Sequence, residues 1–400
     1  MTCIERIFFG VLRSQVIKTL MAMEETSRDL NISLVSFIPI HHYIKYRDIR
    51  QQLKTEFRNL GMQFIPIPIL FLSRDINIRS WLLPLFLVQT LPVMFAVALF
   101  NHAAIIHARS YPASLVGLFI KKLLGVKLIF DMRGLYVDEA LLVNKFKPNS
   151  SDEKLWRKLE AWLVLKSDAV IGVSPGFRTH LGGLLNDTRF FVVPCSVDLA
   201  EFYFDANKRL MRRKELNLAK RFIAVFSGSL GSWVSVQSII TTFKKIQVVK
   251  KNAFLLILTQ TTDPGIKERL LPLGSKNFAI FNLKPEQVAD MLRIADIALL
   301  LRKKNVVNEV ALAVKFGEYL ASGIPVVATK SAREVARLVE EHGCGVVLED
   351  ENDPNLEDKI KELIRCKEIY RTNGLRLVKE YLSLQLCSSK FIDIYDKLLL

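Results

Sequence analysis

Cysteine is scarce and unpatterned in this chain. Five cysteines (Cys3, Cys195, Cys344, Cys366, Cys387) are scattered over 400 residues, with no CxxC pair and no histidine at zinc-ligand spacing. A disulfide framework and a structural zinc site are not expected, and free thiols in a reducing compartment are. A signal-peptide core is also missing, because residues 1–20 alternate charged and apolar side chains too soon and read as a strand followed by a helix. The expected location is the cytoplasm. There is no zinc finger, RNP-like aromatic strand or basic heptad region, so nucleic acid is not an expected partner.

Acidic residues are the second shortage. The formal net charge is +16, from 56 Lys and Arg against 40 Asp and Glu. The excess is uneven: residues 1–150 carry 18 basic and 10 acidic side chains, 201–300 carry 16 and 8, and 301–400 carry 16 of each. Two basic zones beside a neutral tail favour phosphates or anionic lipid surfaces as partners. With 50% hydrophobic and 24% charged residues the composition is that of an ordinary folded chain, and the length suggests two domains.

Short apolar runs alternate with helical patterns. IERIFFG, NISLVSFIP, MQFIPIPIL, AAIIHA, VKLIFD, DAVIGVS and FFVVP read as strands of one doubly wound sheet. The pattern restarts at RFIAVFSGSLG and runs through AFLLILTQ, FAIFNL, IALLLR, IPVVAT and GVVLE. Between them lies PCSVDLAEFYFDANKRLMRRKELN, polar and without strand character, which places a boundary near residue 204. The expectation is α/β: two Rossmann-like doubly wound domains, 1–204 and 205–400, facing a central cleft, with the last helices (about 376–400) packing back on the first domain. Open α/β sheets bind ligands in the loops after their strands.

Residues 81–100 (WLLPLFLVQTLPVMFAVALF) contain no charge over the length of a membrane span. Pro84 and Pro92 interrupt the run, and strand-like segments flank it where a parallel sheet needs a crossover. A buried crossover helix is the expected reading. Immersion in a membrane interface, with Arg74 and Arg79 just before it, and a true span are the alternatives.

The strongest chemical signal is KFGEYLASGIPVVAT (315–329). Lys315 and Glu318 stand three apart on one helix face. A carboxylate there can accept from two vicinal ribose hydroxyls while the lysine meets a diphosphate; an ordinary surface ion pair is the alternative. Arg302 closes the run ADIALLLR, where a guanidinium suits bidentate contact with phosphate oxygens, or simply begins a solvated RKK run. In FSGSLGSW (226–233), Gly228, Ser229 and Gly231 follow a strand and precede a helix, a place where backbone N–H groups approach an anion. In the first half, IIHARSYPAS and LIFDMRGLYVDEA present polar residues at strand ends, with His107 and Arg109 as acceptor-side candidates and Asp131, Arg133, Asp138 and Glu139 as catalytic candidates. Asp138 and Glu139 are candidates to bond acceptor hydroxyls or act as a base, and an Asp131–Arg133 ion pair bracing the turn is the alternative. Arg13, Ser14 and Gln15, after the first strand, are expected to border the acceptor pocket. His41 and His42 read as surface histidines.

Taken together, the 315–329 segment resembles the donor-binding motif of group 1 (family 4) retaining glycosyltransferases of GT-B fold, in which Glu, seven residues and Glu precede Gly-x-Pro-Val-Val. Glu318 matches the second Glu, which holds the ribose in the family. The first position falls on Val310, flanked by Glu309, as in a subgroup that carries Lys-Phe-x-Glu-Tyr-Leu-Ala. Where the family shows His before Gly this chain has Arg133 before Gly134. Where it shows Arg and Lys after the glycine turn, Ser232 and Trp233 follow. The resemblance implies sugar transfer from a nucleoside diphosphate sugar to an acceptor hydroxyl, with retention and with no metal or cofactor. Arg302, Lys315 and the amides around Gly228 would stabilise the departing diphosphate. The basic first domain suggests a lipid-linked sugar acceptor at the cytoplasmic membrane surface, as in polysaccharide or glycolipid assembly. A GT-B-fold nucleotide-sugar epimerase and a non-catalytic partner subunit are the other classes compatible with these residues.

Overall fold

The computed structural model describes residues 1–3, 13–27, 30–70, 78–184, 187–260 and 265–400. The whole of the expected strand IERIFFG (residues 4–10) and Arg74 lie outside them.

The chain divides into two compact units, Met1–Pro194 with Gln385–Leu400, and Cys195–Leu384. The first holds a parallel sheet of seven strands: β1 (Thr2–Cys3), β2 (Ser33–Pro39), β3 (Gln63–Ile69), β4 (Ile105–Arg109), β5 (Lys127–Asp131), β6 (Ala169–Gly172) and β7 (Phe190–Val192), in spatial order 3-2-1-4-5-6-7. The second holds six: β8 (Phe222–Ser227), β9 (Ala253–Leu258), β10 (Phe278–Phe281), β11 (Ile297–Leu300), β12 (Val326–Thr329) and β13 (Gly345–Leu348), in order 10-9-8-11-12-13. In both sheets the order reverses beside the first strand, the doubly wound arrangement whose ligands bind at strand carboxyl ends. The sequence reason is the unbroken apolar runs. Every residue of AFLLIL in β9 is buried, as suits a strand covered by helices on both faces.

The boundary lies at Pro194–Cys195 rather than near 204, because the polar connection is anchored in the second unit. Val197 N donates to Leu382 O (2.8 Å), Leu384 N donates to Val197 O (3.0 Å), and the ring of Phe204 lies against Gly323. The helix Leu384–Leu399 then joins the core of the first unit, where Cys387, Phe391 and Ile394 pack with Val16, Leu20 and Ile171. Of the C-terminal residues expected to return to the first domain, those before Gln385 stay with the second.

The apolar run does form the crossover between β3 and β4, as the helix Leu83–Phe100 after a short turn Ser80–Leu82. A span is incompatible with both flanking strands lying in one sheet. The expectation that the helix is buried, however, is not met: only a third of its apolar stretch is. Phe86, Thr90, Met94 and Ala98 form the inward stripe at intervals of four, and Phe86 meets Phe37 of β2 edge to face at 5.8 Å.

Candidate functional site

In the second unit, the loops after β8, β11 and β12 are tied to one another. Ser227 ends β8, and its N–H donates to the hydroxyl of Tyr319 (2.8 Å), which in turn donates to Ser227 O (3.3 Å). Tyr319 is 1% exposed, on the helix Val314–Ala321 that carries Lys315 and Glu318. That helix is thereby pinned to the start of the glycine turn, where Gly228 takes φ 147°, a conformation open to glycine. The next helix begins only at Val236 and is capped by its own Ser235, whose side chain accepts from Ser238 N (3.2 Å). The expected placement of the turn directly on a helix N-terminus is thus corrected: four residues separate Gly231 from the helix, and one of the helix's free amides is already used.

Arg302 lies two residues beyond β11. Its N–H donates to Thr329 Oγ1 (2.8 Å) and its carbonyl accepts from Thr329 and Ser331 hydroxyls, so the ends of β11 and β12 clamp its backbone. The side chain is half-buried, and among the described residues its guanidinium has no hydrogen-bond or ion-pair partner. Burial pulls its pKa below the ordinary guanidinium value, and the nearby Tyr319 hydroxyl acts in the opposite sense. Buried Asn308 ties this loop to the glycine turn, its side-chain amide donating to Trp233 O (3.1 Å) and Lys303 O (2.8 Å).

Lys315 Nζ meets Glu318 Oε2 at 2.6 Å, with the lysine about a third exposed and the carboxylate almost covered. The i,i+3 ion pair is therefore formed. Val310, where the first Glu of the motif would stand, is buried at the end of the helix Val306–Val310, and Glu309 beside it is half-buried.

In the first unit the expected polar cluster separates into two groups. Asp131 is not paired with Arg133. Its carboxylate accepts from Arg109 (2.9 Å) and lies 3.5 Å from His107 Nε2, while His107 Nδ1 meets the Tyr395 hydroxyl at 2.6 Å. All of Asp131, Arg109 and His107 are under 9% exposed. Burial alone would raise the Asp131 pKa, but Arg109 and His107 outweigh it and hold the carboxyl below its ordinary value. Burial lowers that of His107 against the pull of Asp131. Asp131, assigned to catalysis from the sequence, and the acceptor-side candidates His107 and Arg109 are thus corrected to a brace between strand ends and the helix Leu384–Leu399. Gln15 is buried beside His107 and Tyr395, Ser14 is half-buried, and Arg13 points outward, 3.6 Å from Glu56.

The second group is the loop after β5. Arg133 takes φ 59°, a strained conformation for a non-glycine residue, and so does Ser110 after β4 at φ 74°. Asp138 is held by a bidentate pair with Arg157 (2.6 and 2.8 Å), which leaves Glu139. Its carboxylate folds over Gly134, where a Cβ would sit 2.0 Å from Oε1, so a side chain at that position would displace the carboxylate. Burial raises the Glu139 pKa, Arg133 opposes the rise and Asp138 adds to it. A half-buried carboxylate of raised pKa on a strained loop is the group best suited to proton transfer here. Among the described residues no group of three His, Cys, Asp or Glu side chains is arranged to hold a metal.

Sequence reasoning missed Tyr319 and Tyr395. Tyr319 sits inside the quoted KFGEYLA run but reads as a core aromatic. Tyr395 reaches His107 across 288 residues, and no local pattern signals that.

Residues 207–374 match the model described as glycosyl transferases group 1, and residues 69–201 match that of glycosyltransferase family 4. N-acetyl-alpha-D-glucosaminyl L-malate synthase of Bacillus anthracis is 24% identical over 324 residues, 76% of each chain. Sucrose-phosphate synthase from Thermosynechococcus elongatus shares the fold with TM-score 0.71 at 15% identity, over 95% of this chain and 92% of that one. Anabaena HepE, solved in complex with UDP, does so with TM-score 0.69 at 14% identity, over 95% of each.

Proposed function

Since the chain belongs to the group 1 glycosyltransferases of GT-B fold and is a transferase enzyme, we propose that it moves a sugar from a nucleoside diphosphate sugar to an acceptor hydroxyl with retention of configuration. The observation that carries the donor assignment is the half-buried Arg302 guanidinium with no partner among the described residues. Shielding a charge from water without a counter-charge is costly, and a bidentate diphosphate oxygen pair would offset that cost. Lys315 is the second cation. On binding it would leave Glu318 for the phosphate and free the carboxylate to accept from the ribose hydroxyls. Positive charge already in place where the diphosphate departs lowers the barrier without rearrangement. The UDP bound by the Anabaena relative supports a nucleoside diphosphate ligand.

Glu139 is assigned the proton-transfer role on the acceptor side, with Arg133 beside it. The acceptor belongs to the lipid-linked sugars of surface polysaccharide or glycolipid assembly, a reading supported by the basic excess of residues 1–150 and placing the enzyme at the inner face of the cytoplasmic membrane.

Isothermal titration calorimetry tests the donor site, after a thermal-shift screen of UDP, GDP, ADP and CMP has identified the ligand. Lys315→Ala and Glu318→Ala are each expected to weaken binding at least tenfold, about 1.4 kcal/mol. Unchanged affinity in both variants refutes the assignment.

A further inference from the structure

The outward face of the helix Leu83–Phe100 has no polar residue to offer water. Trp81 in the preceding turn, then Leu85, Val88, Pro92 and Leu99, follow one another at helical spacing on the side opposite the buried stripe, and Phe100 ends the row. Trp81 and Val88 are each 72% exposed and Phe100 is 80% exposed. At 1.5 Å per residue the 18-residue helix makes an apolar strip about 27 Å long. An exposed helix on a soluble surface is ordinarily polar on that side, and a continuous apolar strip of this length marks an interaction surface. The helix's own polar groups are engaged: half-buried Gln89 accepts from Leu70 N (2.8 Å) and donates to Leu85 O (2.9 Å), and buried Thr90 donates to Phe86 O (2.7 Å).

Charge identifies the occupant. No acidic residue occurs between Asp75 and Asp131; of the cations in that stretch Arg109 is buried against Asp131 and Lys121 is paired with Asp168, which leaves Arg79, Lys122 and Lys127 to face outward. Arg79 stands at the helix start and is half-exposed, although Asp152 meets it at 2.9 Å. The helix packs against its neighbour Tyr111–Leu124, whose last turn carries exposed Lys122 and Leu123, with exposed Lys127 just beyond it. A second copy of the chain docking face to face would bring two such basic margins together, because an isologous contact repeats the same patch on both sides. An anionic lipid surface has the opposite sign and offers hydrocarbon to the strip. The helix is held along the sheet by Phe86, Met94 and Ala98, which prevents it from turning into the bilayer.

We infer that this face seats the first unit on an anionic membrane, with Trp81, Val88 and Phe100 entering the headgroup–acyl boundary and the basic residues meeting lipid phosphates. The inference is independent of the donor site in the second unit.

The test is sedimentation of the full-length protein with sucrose-loaded vesicles of phosphatidylglycerol and phosphatidylcholine in equal parts, against vesicles of phosphatidylcholine alone. Wild type is expected to pellet with the anionic vesicles at low salt and about tenfold less with the neutral ones. Val88→Glu is expected to lose about tenfold in partitioning. Trp81→Ser with Val88→Ser, which adds no charge, gives the same direction, and both variants keep wild-type affinity for nucleoside diphosphate. Failure of wild type to pellet overturns the inference, as does wild-type pelleting by these variants. A solution dimer that Val88→Glu converts to monomer also overturns it, since the face would then belong to a second copy.

Discussion

Tyr319→Phe isolates the contact on which the proposed donor site depends. β8 pairs with β9 as far as Ser227 but with β11 only through Ala224 and Val225, so on the β11 side the Ser227 backbone turns to a side chain, and the Tyr319 hydroxyl serves both its N–H and its carbonyl. The substitution keeps the ring and removes one oxygen. It leaves Ser227 N–H, which lies in a segment less than 10% exposed, without its 2.8 Å acceptor. An orphaned buried donor costs about 1–3 kcal/mol. The second bond, at 3.3 Å, is long and adds little. A loss of about 1–2 kcal/mol for the second unit is therefore expected, and denaturant titration followed by the fluorescence of Trp233 measures it. The same loss frees Gly228 and its neighbours to leave the conformation proposed to hold the diphosphate, so affinity for nucleoside diphosphate is expected to fall about tenfold. Wild-type stability in Tyr319→Phe would refute the hydrogen-bond argument. Lowered stability with unchanged affinity would refute the role of the turn in holding phosphate.

Asp296 is almost covered, and its carboxylate takes Arg209 (2.6 Å), Lys367 (2.5 Å), Arg213 and the N–H of Ile223 (2.8 Å). Asp296→Ala leaves three largely covered cations without a counter-charge and is expected to cost about 3 kcal/mol or more by thermal or chemical unfolding. Burial alone would raise the Asp296 pKa, but Lys367 and the two arginines outweigh it and lower it. Its contribution is therefore complete above the unfolded carboxyl pKa of about 3.9 and disappears as pH falls through the lower folded value. Asp296→Asn is expected to flatten the acid limb of the stability profile in that window. For Glu139, burial raises the pKa, so a base there gains activity as pH rises through a value above the ordinary carboxylate range. Glu139→Gln is expected to lower kcat by about 100-fold or more and to abolish that limb of the kcat/KM profile; a retained limb assigns it to another group.

The alternation of apolar runs and helical segments was enough to read every strand of both sheets but the first, which is Thr2–Cys3 among the described residues, because parallel strands covered on two faces have no polar positions to blur the pattern. Lys315 and Glu318 were legible for a related reason: their spacing alone places them on one helix face. The partners of Asp131 were not. Arg109 and His107 lie on the neighbouring strand and Tyr395 lies on a helix near the far end of the chain, so the brace depends on register and on long-range packing. Arg133, two residues from Asp131, looked the better partner only in sequence. Exposure of the 81–100 helix was hidden too, since a run apolar on every side reads the same whether water, protein or lipid covers it. At the boundary, polar composition suggested a linker, whereas Val197 and Phe204 anchor the segment to the second unit.

The helix Leu384–Leu399 has a consequence for how the protein is made. Its residues Cys387, Phe391 and Ile394 belong to the first unit's core, yet the 190 residues of Cys195–Leu384 are translated before them. At roughly 5–20 residues per second, the first unit waits on the order of ten to forty seconds on the ribosome with that core unfinished. During that interval His107 lacks Tyr395, and the apolar surface of Val16 and Leu20 has no cover from the last helix. Synthesis from one end would ordinarily let an N-terminal unit finish first. Here the first unit to begin is the last to close.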